Sequence, residues 1–293
     1  MTKLSRVARQ TPEPPRSLFG YRFGGSNETF VYSDKRCRPT WTPKKGYLLT
    51  PEHRHKLCVH LAAHAAISHM GGACIYSLAV APAGTRSWTT PDRKDPLSGP
   101  TWGTCCTSDI YCEFLKWDTH RQAFVGDRAG WEAYLRRSHE SLERLRREFL
   151  ANAANKAEWI DTEVVPFEVS LAHQRRVLRA QTCGYLAGHI ADGITAGMTA
   201  DEALTLYDRR GTQYTGASDI VIAQGLADLL PPGEYGNAAR NTEETLRCPE
   251  VWTLVNQLAE QLGNFGLLEG DECEVDIYDY MPPRLADWPP ALG

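Results

Sequence analysis

His60 and His64 stand four residues apart in the run Thr50 to Gly72, TPEHRHKLCVHLAAHAAISHMGG. On a helix that spacing puts both imidazoles on one face, one turn above each other. Two neutral ring nitrogens, each about 2 Å from an ion and carried by one rigid element, are half of a zinc site. The hydrolytic version of the pattern is H-E-x-x-H, in which the Glu is the general base, and here that position is Leu61. The ligands are present and the base is not. The other reading of the pair is two core histidines satisfied by hydrogen bonds.

The element that must position them is a buried helix. Thr50 suits an N-cap, Pro51 the first helical position, and Glu52 the positive helix end. From Leu57 to Ile67 nearly every residue is apolar or small, which predicts burial on almost all sides. Gly71-Gly72 ends the helix, and Cys74 to Ala81 then reads as a strand.

The rest of the chain reads as mostly helical. Pro82 to His120 is polar and rich in Pro, Gly, Thr and Asp, which predicts a long loop whose aromatics Trp88, Trp102, Tyr111, Phe114 and Trp117 either pack it down, the favoured reading, or line a binding cleft. Asp127 to Lys156 predicts a charged amphipathic helix, with Trp131, Tyr134, Leu135, Leu142, Leu145 and Phe149 at helical spacing. A further helix is expected over about Pro166 to Gly193, where Gly188 and its small neighbours allow close helix contact. Thr199 to Tyr207 is a short helix with a capping box formed by Thr199 and Glu202. Ser218 or Asp219 would cap the next helix, with Ile220, Ile222, Ala223, Leu226 and Leu230 on its buried face and Pro231-Pro232-Gly233 as its stop. Pro249 to Leu262 is another amphipathic helix, and residues 281–293 form a Pro-rich tail expected to be loose. No internal repeat is visible.

Composition narrows the function classes. A net charge of −4 over 293 residues gives no general footprint for nucleic acid or anionic membranes. Residues 1–48 read as an N-terminal arm, partly disordered, with basic and aromatic stretches such as DKRCRPTWTPKKGY. The N-terminus has no apolar signal-peptide core, and the longest apolar run, residues 57–67, is too short to span a bilayer. Nine cysteines without a CxxC pair fit free thiols in a reducing, cytoplasmic setting better than a disulfide framework. Cys105, Cys106 and Cys112 cluster loosely, at a spacing that matches no common zinc pattern.

Several stretches, in order, resemble the zinc-protease domain of the FtsH-type AAA+ proteases and their stand-alone relatives. VHLAAHAAISHMGGACIYSLAVAP is similar to that family's H-E-x-G-H-A helix and following strand. YLAGHIADGITAG resembles its later L-A-G-x-x-A-E-x-x-x-G helix, and TGASDIVIAQGLADLL its T-G-A-S-N-D helix start. CPEVWTLVNQLAEQLGNFGLLEGDE is similar to the closing helix and L-x-G-x-E ending. Together these segments cover about residues 50–82 and 180–275.

The resemblance implies a mainly α (α+β) fold: a helical zinc-protease-like domain over 49–280, with a small sheet next to the His-x-x-x-His helix and a long insertion at about 83–180. It implies zinc as cofactor, with His60, His64 and Asp219 as ligands, and a peptide or unfolded protein segment as the bound partner. Two His, one carboxylate and an open fourth position are a catalytic zinc geometry. The chain departs from the family at Leu61, and a general base of this kind contributes about 10²–10⁴-fold. Glu158, Glu163 and Glu168 in the inserted region are the carboxylates that could reach in to replace it. The chain also lacks G-x-x-x-x-G-K-[ST] and a membrane span, so any ATPase would be a separate partner. The expected function is a metallopeptidase homologue with weak or lost proteolysis, or a non-catalytic peptide-binding or regulatory module on the same fold.

Overall fold

Thr50 caps the first helix: its side chain accepts the His53 amide at 3.1 Å, and Pro51 opens α1 (Pro51–Met70). The computed structural model describes residues 49–84, 103–108, 111–118, 123–151, 165–210, 217–269 and 277–292. The expectations for residues 1–48 lie outside this set. Cys58, Val59, Ala62, Ala63, Ala66 and Ile67 are buried on different faces of α1, so the helix runs through the core rather than along the surface. It packs against α3 (Phe167–Thr195), α7 (Pro249–Phe265) and the sheet.

The sheet is small and antiparallel. β1 (Ile75–Val80) lies between β2 (Gly103–Thr107) and β5 (Leu267–Glu269), with Leu78 opposite Cys105 on one side and Leu268 on the other. A second pair, β3 (Leu115–Asp118) and β4 (Ala123–Gly126), packs on α5 (Ala217–Leu229). With seven helices among the described residues, the fold is mainly helical with a minor sheet component, as the sequence leads one to expect.

Two strands, β2 and β3, correct the expectation of one long loop over residues 82–120. TCCT in β2 is too short to announce itself, and becomes a strand because the edge of β1 supplies its hydrogen-bond partners. Cys105 therefore sits buried in a strand, as a free thiol; the side chains of Cys106 and Cys112 lie outside the described residues. Cys74 is exposed, just before β1 begins at Ile75.

α2 (Arg128–Ala151) forms where its apolar spacing predicts, but only its beginning is covered. Trp131 is fully buried, whereas Leu142 and Leu145 are 59% and 57% exposed. α3 begins at Phe167 and runs unbroken through residue 180, the expected end of an insertion. α4 (Ala200–Arg210) carries the expected capping box: the Thr199 amide donates to Glu202 Oε2 at 2.8 Å, and the Glu202 amide returns to Thr199 Oγ1 at 3.3 Å.

α6 (Glu234–Leu246) is a helix that hydropathy does not announce. Its buried positions are Glu234, Asn237, Ala238, Ala239, Asn241, Thr242 and Leu246, mostly polar or small. They fall at helical spacing and each polar group is engaged. Arg179 Nε of α3 donates to Glu234 Oε1 at 2.9 Å, and Asn237 and Asn241 both donate to the Pro290 carbonyl at 3.2 Å. The C-terminal segment is thereby corrected from loose to docked. Trp288 is buried and its indole N–H donates to Thr245 Oγ1 at 3.1 Å.

The Arg179–Glu234 pair is buried on both sides, so removing one partner strands the other charge. Arg179→Met is expected to cost about 3–5 kcal/mol in guanidinium unfolding. The double variant Arg179→Met/Glu234→Met should recover most of that loss. Equal stability of single and double variants would contradict this assignment.

Candidate metal centre

The site lies where α1 crosses α3, with α5 meeting both. α3 turns a row of small residues, Ala180, Gly184 and Gly188, toward α1 at a spacing of four. At Gly188 the closeness is obligatory. A Cβ there would stand inside van der Waals contact of His64 Nε2 and 2.5 Å from His60 Nε2. Only glycine leaves room for the two imidazoles.

Each imidazole is oriented by a partner on α3. His60 Nδ1 is 2.9 Å from Asp192 Oδ2, and His64 Nδ1 is 2.7 Å from the Gly184 carbonyl oxygen. A carbonyl oxygen only accepts, and an ionised carboxylate only accepts, so both Nδ1 atoms carry the proton. The Nε2 atoms are then the lone-pair ends, and they face each other at 3.0 Å. Asp219 Oδ2 stands 3.6 Å from His64 Nε2. Three possible ligand atoms, two on α1 and one on α5, thus converge.

Burial and the neighbouring charges set the titration of the pair. Burial by itself would lower the His60 pKa, but the Asp192 carboxylate outweighs it, with smaller help from Asp219 and the Gly188 backbone, and holds it above its usual value. His64 is held well below its usual value by burial and then by charge on His60, against the pull of the Gly184 carbonyl. The pair accepts one proton readily and resists the second.

The expected ligands His60, His64 and Asp219 are brought together. Asp219 is corrected in one respect: α5 begins at Ala217, so Asp219 sits in the first turn rather than capping the helix, and is 5% exposed. Its first-turn position leaves the carboxylate near the positive helix end and aimed at α1.

His189 belongs to the site and is missing from the sequence reading. Its ligand atom, one from His60 and one from Asp219 all lie within 4.8 Å of one another, the one such group of metal-binding side chains among the described residues. Its ring centre is 5.1 Å from that of His60, at 86°. The signal available was its i, i+3 spacing to Asp192, which makes the two side chains neighbours along α3.

The residue set could hold a metal ion, and its spacing can be compared with that of a tetrahedral zinc. Ligands about 2.0–2.1 Å from a tetrahedral centre stand roughly 3.3 Å apart, and the separations of 3.0 and 3.6 Å bracket that value. The outer nitrogens are held by a carboxylate and a backbone carbonyl, the usual support for zinc-binding histidines.

The base position is filled differently. Leu61 is 5% exposed and packs under β2, where a Cβ on Gly103 would come within 2.6 Å of its Cδ1. Glu168 does not replace the base: it is exposed in the first turn of α3, roughly 30 Å along the axis from His189 at about 1.5 Å per residue. Glu158 and Glu163 lie outside the described residues. No helix among the described residues is long and apolar enough to cross a membrane. A scan against protein-family models and a search of curated proteins each return no match to the chain.

In chelated protein the histidines set an acid limb of stability. Below a pH of about 6.5 the unfolded chain protonates all its histidines, whereas folded His64 stays neutral. The unfolded state then binds more protons, so stability falls as pH falls, by at most about 1.4 kcal/mol per pH unit for one proton. His69, lowered by burial and then by Arg284, adds in the same direction. His60 acts oppositely: its raised pKa contributes stability that is complete below about 6.5 and is lost as pH rises through the folded value. Melting curves in chelator between pH 6.5 and 5 should therefore drop in the native chain and flatten in His64→Gln. An unchanged slope in the variant would exclude His64 as the source.

Proposed function

We propose that the protein is a zinc-binding homologue of the FtsH-type protease domain with weak or lost proteolytic activity. The observation that carries the reading is the convergence of the two Nε2 atoms, 3.0 Å apart, on the Asp219 carboxylate, with both Nδ1 atoms already committed to acceptors. Two imidazole nitrogens and a carboxylate oxygen converging in a buried site favour a cation, and two imidazoles with one carboxylate suit zinc. The order of the similar segments, with the ligands on the first and third of them, supports the family assignment.

Zinc bound there would act as a Lewis acid, polarising a carbonyl and making water a better nucleophile. The chain's own residues do the rest. Asp192 and Gly184 fix the imidazole tautomers, Gly188 admits the rings, and α5 delivers the carboxylate. None of the described groups stands at the base position, because Leu61 is packed against Gly103. This favours a second reading, a non-catalytic module that holds a peptide or unfolded segment; a separate ATPase would be its natural partner on the family resemblance.

Metal content is measured by plasma mass spectrometry on full-length protein purified without a His-tag. Near-stoichiometric zinc is expected, falling to background in His60→Ala. Gly188→Ala, whose new methyl displaces both rings, should lose most of the metal while keeping its helical circular dichroism. Absence of metal from the native chain would sink the zinc reading. Chelator-sensitive cleavage of an unfolded substrate, abolished by His64→Ala, would instead overturn the assignment of lost proteolysis; Leu61→Glu then tests whether restoring a carboxylate raises the rate.

A further inference from the structure

We infer that His189 is a fourth protein ligand, so that the centre is closed by three imidazoles and one carboxylate. This inference rests on the zinc reading above and decides what the centre is for. An open catalytic zinc keeps one coordination position for water and substrate, whereas a structural zinc has four protein ligands.

Placement supports the assignment. His189 stands one position after Gly188 and one turn before Asp192 on α3, with its ring centre 5.1 Å from that of His60. It is 1% exposed, so it is built into the site rather than drawn from the surface. Its ligand atom falls within 4.8 Å of those of both His60 and Asp219. His64 approaches the same pair from α1, with its Nε2 3.0 Å from His60 and 3.6 Å from Asp219. His64 and His189 therefore share two partners, and an ion drawn between His60 and Asp219 is within reach of both. Bringing His189 to the roughly 3.3 Å ligand spacing of a tetrahedral zinc needs a contraction of about 1.5 Å or less, which side-chain rotation supplies.

The chemistry agrees with a closed site. A fourth ligand removes the position a hydrolytic water would need, and Leu61 removes the base that would activate it. Both changes point the same way. The ion then ties α1, α3 and α5 together, and its binding energy becomes folding energy.

Cobalt(II) reports the coordination directly. Full-length protein is stripped with chelator, loaded with one equivalent of cobalt(II), and titrated with azide while the visible absorption is followed. A closed centre gives intense tetrahedral bands that azide does not shift. His189→Ala should open a position, so that its bands move with azide, and should weaken cobalt binding by at least roughly tenfold, the low end of what even supporting residues contribute. His189→Gln, with helical content checked by circular dichroism, covers the case in which the alanine variant fails to fold. Azide-sensitive bands in the native protein would overturn the fourth ligand while leaving the zinc reading intact. Unchanged cobalt affinity in both variants would do the same. Failure of the native protein to bind cobalt or zinc would overturn both.

Discussion

Two unprotonated imidazole nitrogens at 3.0 Å repel unless something positive lies between them, and here a carboxylate oxygen adds to the negative side. Asp192 and Gly184 leave no freedom to relieve this by changing tautomer, since each already takes a proton from a ring Nδ1. A proton is one solution: His60, held up by Asp192, can carry it and donate to the neutral His64 Nε2. On the proposed reading a divalent cation is the other, and it would satisfy all three atoms at once while being neutralised in part by Asp219 and, behind His60, by Asp192.

The scaffold follows from this constraint. Imidazoles on α1 can meet groups on α3 only if the two helices touch closely, and the small residues at 180, 184 and 188 allow that along several turns. α3 must then be held rigidly from its other side. α6 does this with the buried Arg179–Glu234 pair, and the docked C-terminal segment covers α6 in turn through Asn237, Asn241 and Thr245. The polar groups of α6 are therefore part of a connected set in which each buried member has a partner.

What was legible in the sequence was local. α1, α4 and α7 declare themselves through Thr50-Pro51, the Thr199–Glu202 box and the Pro249 start, each a signal contained within one helix. α6 is hidden because its buried face is written in Asn, Thr, Ala and Glu, whose burial depends on Arg179 and Pro290 far away in the chain. The strands of residues 103–126 are equally non-local, since β2 exists only against β1. The Pro-rich ending looked loose because composition cannot show that Trp288 finds a slot beside Thr245. At the site, the His60–His64 pair is a spacing and could be read; His189 is a single histidine whose meaning comes from the helix crossing.

Leu61 is better understood from β2 than from the metal. Its side chain lies under Gly103, at the edge strand that flanks the His helix, where it completes the apolar contact between α1 and the sheet. A carboxylate at that position would face the same strand and would need water or a substrate to remain ionised. The residue at the base position thus also packs the contact between α1 and β2. A centre assembled from three helices and supported by a carboxylate and a carbonyl has the organisation of a site whose ion holds elements together. On the proposed reading the ion serves to hold α1, α3 and α5 together, and Leu61 stands where hydrolysis would need a base.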